Sequence, residues 1–281
     1  MSPWFVDQKS VDTIPIDDRA AQYGDGLFET IAIRGSTPRF WTLHLDRLQQ
    51  GCERLGIDAP PAETLQEALA AAIIACDIDT DFAVARITIS AGTGPRGYRR
   101  PTDAQTSFRI GIFESQALPA TAYRDGVETR LCRTRLAIQT QLAGIKTINR
   151  LEQVLARAEW NDASIVEGLM LDTEDRLICG TMSNVFVTSG KTIATPAITR
   201  CGVAGIMRRH VLTLLEHARI ACDVRDIELS ELQAADEVFL TNSQFGILPV
   251  TRCAGQAWSV GRITQQVMTL AAGSGVPECA P

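Results

Sequence analysis

The interval joining two β-branched runs, Phe82 to Ser90 and Phe108 to Phe113, restricts the fold of this chain more than any other stretch. It contains Gly92-Thr93-Gly94-Pro95-Arg96-Gly97, a match to GxGxxG after a strand, with Glu114 near the distance of a ribose-binding acid. A parallel crossover needs a helix of roughly a dozen residues. The stretch from Tyr98 to Ser107 is shorter and carries Pro101, so a dinucleotide-binding crossover is excluded and the interval reads as a hairpin loop. Two amphipathic helices precede the hairpin, the first with Leu45, Leu48, Cys52 and Leu55 at helical spacing. The second carries Leu65, Leu69, Ala72, Ile73 and Cys76. Strands and helices mixed in this order predict a small α/β domain.

The chain has 281 residues, 45% of them hydrophobic, enough for two ordinary domains with a sizeable core. Pro119 to Asp125 turns to small and polar residues between two strand-like runs and reads as a linker. The expected division is therefore residues 1–118, a linker at 119–125, and a larger domain at 126–281. In the larger domain, Asn149 and Glu152 have the spacing of a capping box, and Leu151, Val154, Leu155 and Ala158 predict the buried stripe of a helix. Short strands are predicted at Gly168 to Leu171, Asn184 to Thr188 and Val238 to Thr241, with a helix from about Gly205 to Arg219. The tail after Ala272, with its Gly, Ser and Pro, is expected to be loosely ordered.

A net charge of -6 and a pI near 5.2 oppose broad contact with nucleic acid and favour small-molecule chemistry. The eight cysteines include no CxxC pair, which indicates reduced thiols and neither a zinc ribbon nor a disulfide framework. The first residues lack the pattern of a signal peptide, and no stretch offers the ~18 apolar residues of a membrane helix. A cytoplasmic protein, without metal or membrane, is expected.

Lys146 is the first candidate for covalent chemistry. It is one of three lysines in a chain rich in arginine, and it lies in the largely apolar run Gly144-Ile145-Lys146-Thr147-Ile148 ahead of a predicted helix. An amine near apolar groups can lose its proton and become a nucleophile, which a guanidinium does not. The bland alternative is a snorkelling surface lysine. Gly202-Val203-Ala204-Gly205-Ile206-Met207-Arg208 opens a helix whose N-terminal amides suit phosphate, although a glycine pair before a helix is common. Thr241-Asn242-Ser243 could complete a phosphate cup or be only a turn. Arg47 reads equally as a surface arginine, and Arg96, Tyr98, Arg99 and Arg100 as a solvated basic loop or an anion-binding one. An amine-forming lysine together with phosphate donors meets the needs of pyridoxal phosphate.

The chain resembles the class IV (fold-type IV) pyridoxal-phosphate enzymes, and within them the aminodeoxychorismate lyases, over nearly its whole length. The resemblance rests on Asp18-Arg19-Ala20 with Tyr23 through Thr30, His44 to Leu48, Arg96-Gly97-Tyr98, and Leu142 to Lys146 with Asn149 to Leu155. It continues through Ser183-Asn184-Val185-Phe186, Gly202 to Arg208, and Thr241-Asn242-Ser243 with Pro249-Val250. It implies a two-domain α/β (α+β) fold with a small N-terminal domain and a larger pseudo-barrel domain, and a homodimer. It also implies that Lys146 carries the cofactor covalently, that Arg47, the amides of Val203 and Ala204, Asn242 and Ser243 hold its phosphate, and that Thr30 lies at the reacting face. Tyr23, Arg96 and Tyr98 would lie near the substrate. The implied reaction eliminates pyruvate from 4-amino-4-deoxychorismate to give 4-aminobenzoate for folate synthesis; a D-amino-acid or branched-chain aminotransferase and a weakly active cofactor-binding homologue are the alternatives. Relatives carry a glutamate at the pyridine nitrogen, five residues before the asparagine of Ser-Asn-Val-Phe. This chain has Cys179 there, so another acid such as Glu174 would have to serve, or the cofactor would withdraw electrons less strongly.

Overall fold

The computed structural model describes residues 4–6 and 9–280. The chain divides into two compact units, Met1–Ala117 with Ile145–Asn149, and Leu118–Gly144 with Arg150–Pro281. A contiguous division misses the return of residues 145–149 to the first unit.

In the first unit, six strands form one antiparallel sheet: β1 (Trp4–Val6), β2 (Lys9–Val11), β3 (Gly26–Arg34), β4 (Thr37–Pro38), β5 (Phe82–Ser90) and β6 (Ser107–Glu114), in the order β2-β1-β6-β5-β3-β4. Strands β5 and β6 pair as a hairpin around the glycine-rich interval, from Ala83 opposite Glu114 to Ser90 opposite Ser107. Strand pleating sends Leu27, Ile31, Ile33, Ala85, Ile87 and Ile89 to one face, where they form a core with Leu48, Cys52, Leu65, Leu69 and Ala72. Those last residues belong to α2 (Trp41–Leu55) and α3 (Ala62–Ala75), the two helices expected from their apolar spacing. Helix α2 lies close against β3: a Cβ on Gly51 would come within 2.9 Å of Leu27. The opposite pleat carries Phe28, Thr30, Arg86, Thr88 and Arg109, with Thr30 opposite Arg86 and Phe28 opposite Thr88.

The short helix α1 (Arg19–Tyr23) is capped by Asp18 and ends at Gly24, whose φ of 66° is left-handed. A side chain at Gly24 would collide with Asn149, whose Nδ2 donates to the Gly24 carbonyl at 3.1 Å. Asn149 is thus spent on α1 and does not cap the helix that follows it.

The second unit holds a mixed sheet of β7 (Val127–Leu131), β8 (Ile165–Leu171), β9 (Arg176–Gly180), β10 (Asn184–Ser189), β11 (Thr192–Pro196), β12 (Cys222–Arg225), β13 (Ile227–Glu228), β14 (Glu237–Asn242), β15 (Gly246–Cys253) and β16 (Gln256–Ala257). Its order is β12-β11-β10-β14-β15-β7-β8-β9-β13, with β16 on β15. The outermost strands of that path, β12 and β13, are separated along the chain by Asp226 alone, so the sheet curls until its ends meet, as in a pseudo-barrel. The stretch 119–125 is no irregular linker. It contains α4 (Ala120–Arg124), with Pro119 at its start and Tyr123 buried.

Helix α5 (Leu151–Arg157) corrects the expected stripe: Leu151, Val154 and Leu155 are exposed, and Ala156 is the buried residue. The capping box is absent as well, because Glu152 accepts the Ala137 amide at 2.7 Å instead. The long helix α6 (Ile206–His217) falls where its apolar spacing predicts, and α7 (Leu229–Gln233) and α8 (Arg262–Ala272) complete the helices. The tail is packed, contrary to expectation: Val276 and Cys279 are fully buried, and the Ile247 amide donates to Cys279 Sγ at 3.2 Å. No helix of the described residues is long and apolar enough to cross a membrane, and no metal-binding cluster occurs among them.

Ile87 is fully buried in the middle of the first sheet. Ile87→Ala is expected to lower unfolding free energy by about 3 kcal/mol and Ile87→Val by about 1 kcal/mol, measured by urea denaturation. Equal, small effects would show that this face is not tightly packed.

Candidate active site

Residues 145–149 add to the start of β3. The Phe28 amide donates to the Lys146 carbonyl at 3.0 Å, the Ile148 amide donates to the Gly26 carbonyl at 3.1 Å, and Thr147 bridges Leu27. This pairing puts the half-buried Lys146 over the outer pleat of the first sheet. Its Nζ lies 4.3 Å from the centroid of the Phe28 ring. The Arg86 guanidinium stacks on the same ring at 4.0 Å, and burial lowers its pKa. Thr30 stands two residues along β3 on the same pleat, opposite Arg86. A cavity of about 560 Å³ opens on this face, lined by Trp4, Arg86, Thr88, Arg109, Phe113 and Ile148 among others. Sequence reasoning missed Arg86 and Arg109; their alternation on strands with Thr30 and Phe28 was the available signal.

Beneath the sheet, Arg47 does not point to solvent. Its Nε and a terminal nitrogen donate to the two oxygens of Glu29 at 2.8 and 2.5 Å. Glu29 is 1% exposed and also meets His44 Nδ1 at 2.6 Å. Burial works to raise the Glu29 pKa, but the charges of Arg47 and His44 and their hydrogen bonds outweigh it and hold the carboxyl down to about 2. Burial pushes the His44 pKa down, only partly opposed by Glu29, so the imidazole is neutral near pH 7 and donates through Nδ1. Glu29 is thus the partner that orients Arg47, a role invisible in the sequence because the two residues lie 18 apart on a strand and a helix.

The loop after β5 is clamped. Arg19 and Arg100 share the Asp25 carboxylate, Arg19 also donates to the carbonyls of Gly97 and Tyr98, and the Gly97 amide donates to the Tyr23 hydroxyl at 2.9 Å. Tyr23 therefore shapes the loop, with its ring edge-on to Tyr98. Arg96, Tyr98 and Arg99 are exposed on it.

In the second unit, Asn184 fixes residues 203–205: its Nδ2 donates to the Val203 carbonyl at 2.9 Å and its Oδ1 accepts the Gly205 amide at 3.0 Å. The Ala204 amide donates to the Gly144 carbonyl at 3.0 Å, so this expected phosphate donor is already committed. The intrahelical bonds of α6 begin with Arg209 to Gly205, which leaves the amides of Ile206, Met207 and Arg208 without intrahelical acceptors at the positive end of the helix dipole. Asn242 likewise acts on its own turn: Nδ2 donates to the Met182 carbonyl at 2.5 Å and Oδ1 accepts the Gln244 amide at 2.7 Å. Ser243 lies inside that turn. The neighbouring Thr241 hydroxyl is buried without a hydrogen-bond partner, an atom suited to meet a ligand oxygen.

Cys179 is 6% exposed in a cluster with Cys132, Ile178 and Cys201, and burial pushes its thiol pKa well up, so it is neutral. Two acids that could stand in for the expected glutamate are otherwise engaged. Glu174 is an exposed acid paired with Arg176 and Arg200, and Glu167 spends its carboxylate on residues 168 and 181–183.

Residues 26–253 match the family of class IV amino-transferases, and the chain belongs to that family. It is 33% identical to aminodeoxychorismate lyase of Vibrio harveyi over 258 residues, covering 90% of this chain and 94% of that one. It is 28% identical to a putative branched-chain-amino-acid aminotransferase of Methanocaldococcus jannaschii, covering 94% and 91%. The crystal structure of 4-amino-4-deoxychorismate lyase from Pseudomonas aeruginosa superposes with a TM-score of 0.90 at 41% identity, over 97% of this chain and 99% of that one. The protein is accordingly a pyridoxal-phosphate-dependent class IV enzyme of the two-domain fold-type IV architecture. Each unit by itself offers groups that fit that cofactor: the first an amine on an aromatic ring, the second a helix N-terminus and the orphaned Thr241 hydroxyl beside Ser243.

The Glu29 carboxyl sits near 2 in the folded state against 4.5 for the ordinary glutamate, so its stability contribution is full above pH 4.5 and is lost as pH falls toward 2. Glu29→Gln is expected to cost about 3 kcal/mol at pH 7 and to flatten the acid limb of the stability profile in that window, read by denaturation at a series of pH values. A wild-type profile no steeper than the variant's would sink the assignment.

Proposed function

We propose that the protein is a carbon-oxygen lyase that converts 4-amino-4-deoxychorismate into 4-aminobenzoate and pyruvate. The observation that carries this reading is the outer pleat of the first sheet, where the Lys146 amine and the Arg86 guanidinium share the Phe28 ring beside Thr30. Lys146 would hold the cofactor, with its phosphate on Ser243, the Thr241 hydroxyl and the amides of Ile206 and Met207, and with Arg47 oriented by Glu29. Bound pyridoxal phosphate supplies an electron sink for charge developing next to the substrate nitrogen. The Lys146 amine removes the proton from C4 of the substrate. The C–O bond to the enolpyruvyl group breaks, the ring becomes aromatic, and Lys146 or Thr30 returns a proton to the departing methylene. Arg86, at the cavity, suits a substrate carboxylate, while Arg109 there is paired with Asp18 at 3.2 Å. The neutral thiol of Cys179 favours elimination over transamination, because aromatisation drives the elimination and less electron withdrawal is required of the cofactor.

The test is 4-aminobenzoate fluorescence with enzymatically made aminodeoxychorismate. Wild-type protein is expected to form product and Lys146→Ala to lose roughly three orders of magnitude in rate. The second reading, an amino-acid transaminase, draws on the 28% identity to the aminotransferase relative. Conversion of amino-acid donors without any 4-aminobenzoate would establish it instead.

A homodimer accompanies the reading. Helix α5 presents Leu151, Val154 and Leu155 to solvent, an apolar face that a second copy would cover. Leu155→Glu is expected to shift the protein from dimer to monomer in sedimentation; a variant that sediments as the wild type would exclude this face. We place the enzyme in the cytoplasm, where its eight free cysteines stay reduced.

A further inference from the structure

Glu167 on β8 is 1% exposed and has no cationic partner among the described residues. Its carboxylate is satisfied almost wholly by one turn. It accepts from the Thr181 amide at 3.0 Å and hydroxyl at 2.5 Å, the Met182 amide at 3.1 Å and the Ser183 hydroxyl at 2.7 Å, with the Gly168 amide at 2.8 Å. The turn is closed at its base, where the Gly180 amide donates to the Ser183 carbonyl at 2.8 Å. Gly180 leaves no space for a side chain: a Cβ there would collide with Ser183 Oγ and lie 2.6 Å from Glu167 Oε2. The Met182 carbonyl faces the next turn and accepts Asn242 Nδ2, while Asn242 Oδ1 accepts the Gln244 amide. One buried negative charge therefore fixes residues 181–183, and these fix the turn that contains Ser243.

We propose that Glu167 is the positioning residue of the phosphate-holding turn at residues 242–244, acting through the Met182 carbonyl and the Asn242 side chain. The proposal rests on the reading that Ser243 contacts the cofactor phosphate. A carboxylate is needed because all five surrounding groups are donors. Glutamine would turn an NH₂ toward at least one of them, leave that donor unpaired, and release the turn.

The experiment measures pyridoxal-phosphate binding by absorbance titration of apo protein, with melting temperature alongside, for wild type, Glu167→Gln, Ser183→Ala, Asn242→Ala and the Glu167→Gln/Asn242→Ala double variant. Glu167→Gln is expected to raise the Kd at least tenfold, and Ser183→Ala, which removes one donor and keeps the charge, to raise it less. The double variant should bind no more weakly than the weaker-binding single variant, since both act through one link. Multiplying effects in the double variant, or an unchanged Kd in a Glu167→Gln protein that merely melts lower, would overturn the proposal. If Glu167→Gln does not fold, an unchanged Kd in Ser183→Ala would overturn it alone. Wild-type protein that takes up no pyridoxal phosphate would instead overturn the cofactor reading beneath it. An unaltered Kd in a separate Ser243→Ala protein would remove the phosphate contact on which the proposal depends.

Discussion

The pairing of Glu29 with Arg47 and His44 is the constraint on which the first unit depends. A carboxylate with 1% exposure in the middle of β3 has no place in an apolar layer unless its charge is matched, and both partners come from α2. The interaction fixes the rotation of α2 about its own axis as well as its distance, since His44 and Arg47 lie three residues apart on one helical face. With β3 and α2 held together on the inner pleat, the outer pleat has a fixed register, and Phe28, Thr30 and Arg86 keep defined positions. Lys146 then needs only a short pairing with β3 to arrive over that surface.

The second unit combines neutral amides with the buried Glu167 carboxylate. The start of α6 and the turn at residues 242–244, the elements proposed to meet the cofactor phosphate, are both shaped by asparagines whose amides are spent on the backbone. Fixed backbone dipoles attract a phosphate without adding mobile charge to the chain. Cys179 itself is packed among Cys132, Ile178 and Cys201.

The elements that sequence reasoning located correctly are those whose signal is local. Helices α2, α3 and α6 follow apolar residues at helical spacing, and the β5–β6 hairpin follows from an interval too short for a crossover. The errors share one cause, which is that the deciding partner is remote in sequence. Asn149 looked like a cap until α1 supplied Gly24, and Glu152 was claimed by the Ala137 amide. Ala204 looked like a phosphate donor although Gly144 takes its amide. Leu151, Val154 and Leu155 have the spacing of a buried stripe, and periodicity alone does not say which surface a stripe faces. Residue type and surroundings single out Lys146 in the sequence as a candidate, whereas Glu29 and Arg86 require the pleat of the sheet to be known.

The continuity of β12 and β13 through Asp226 limits what the ends of the second sheet offer to another chain. A sheet path that ends in strands of four and two residues, joined through one residue, offers no long row of unpaired amides and carbonyls. An extended peptide would find only a few residues of backbone to pair with at that edge, whereas a long bare edge would accept almost any such segment.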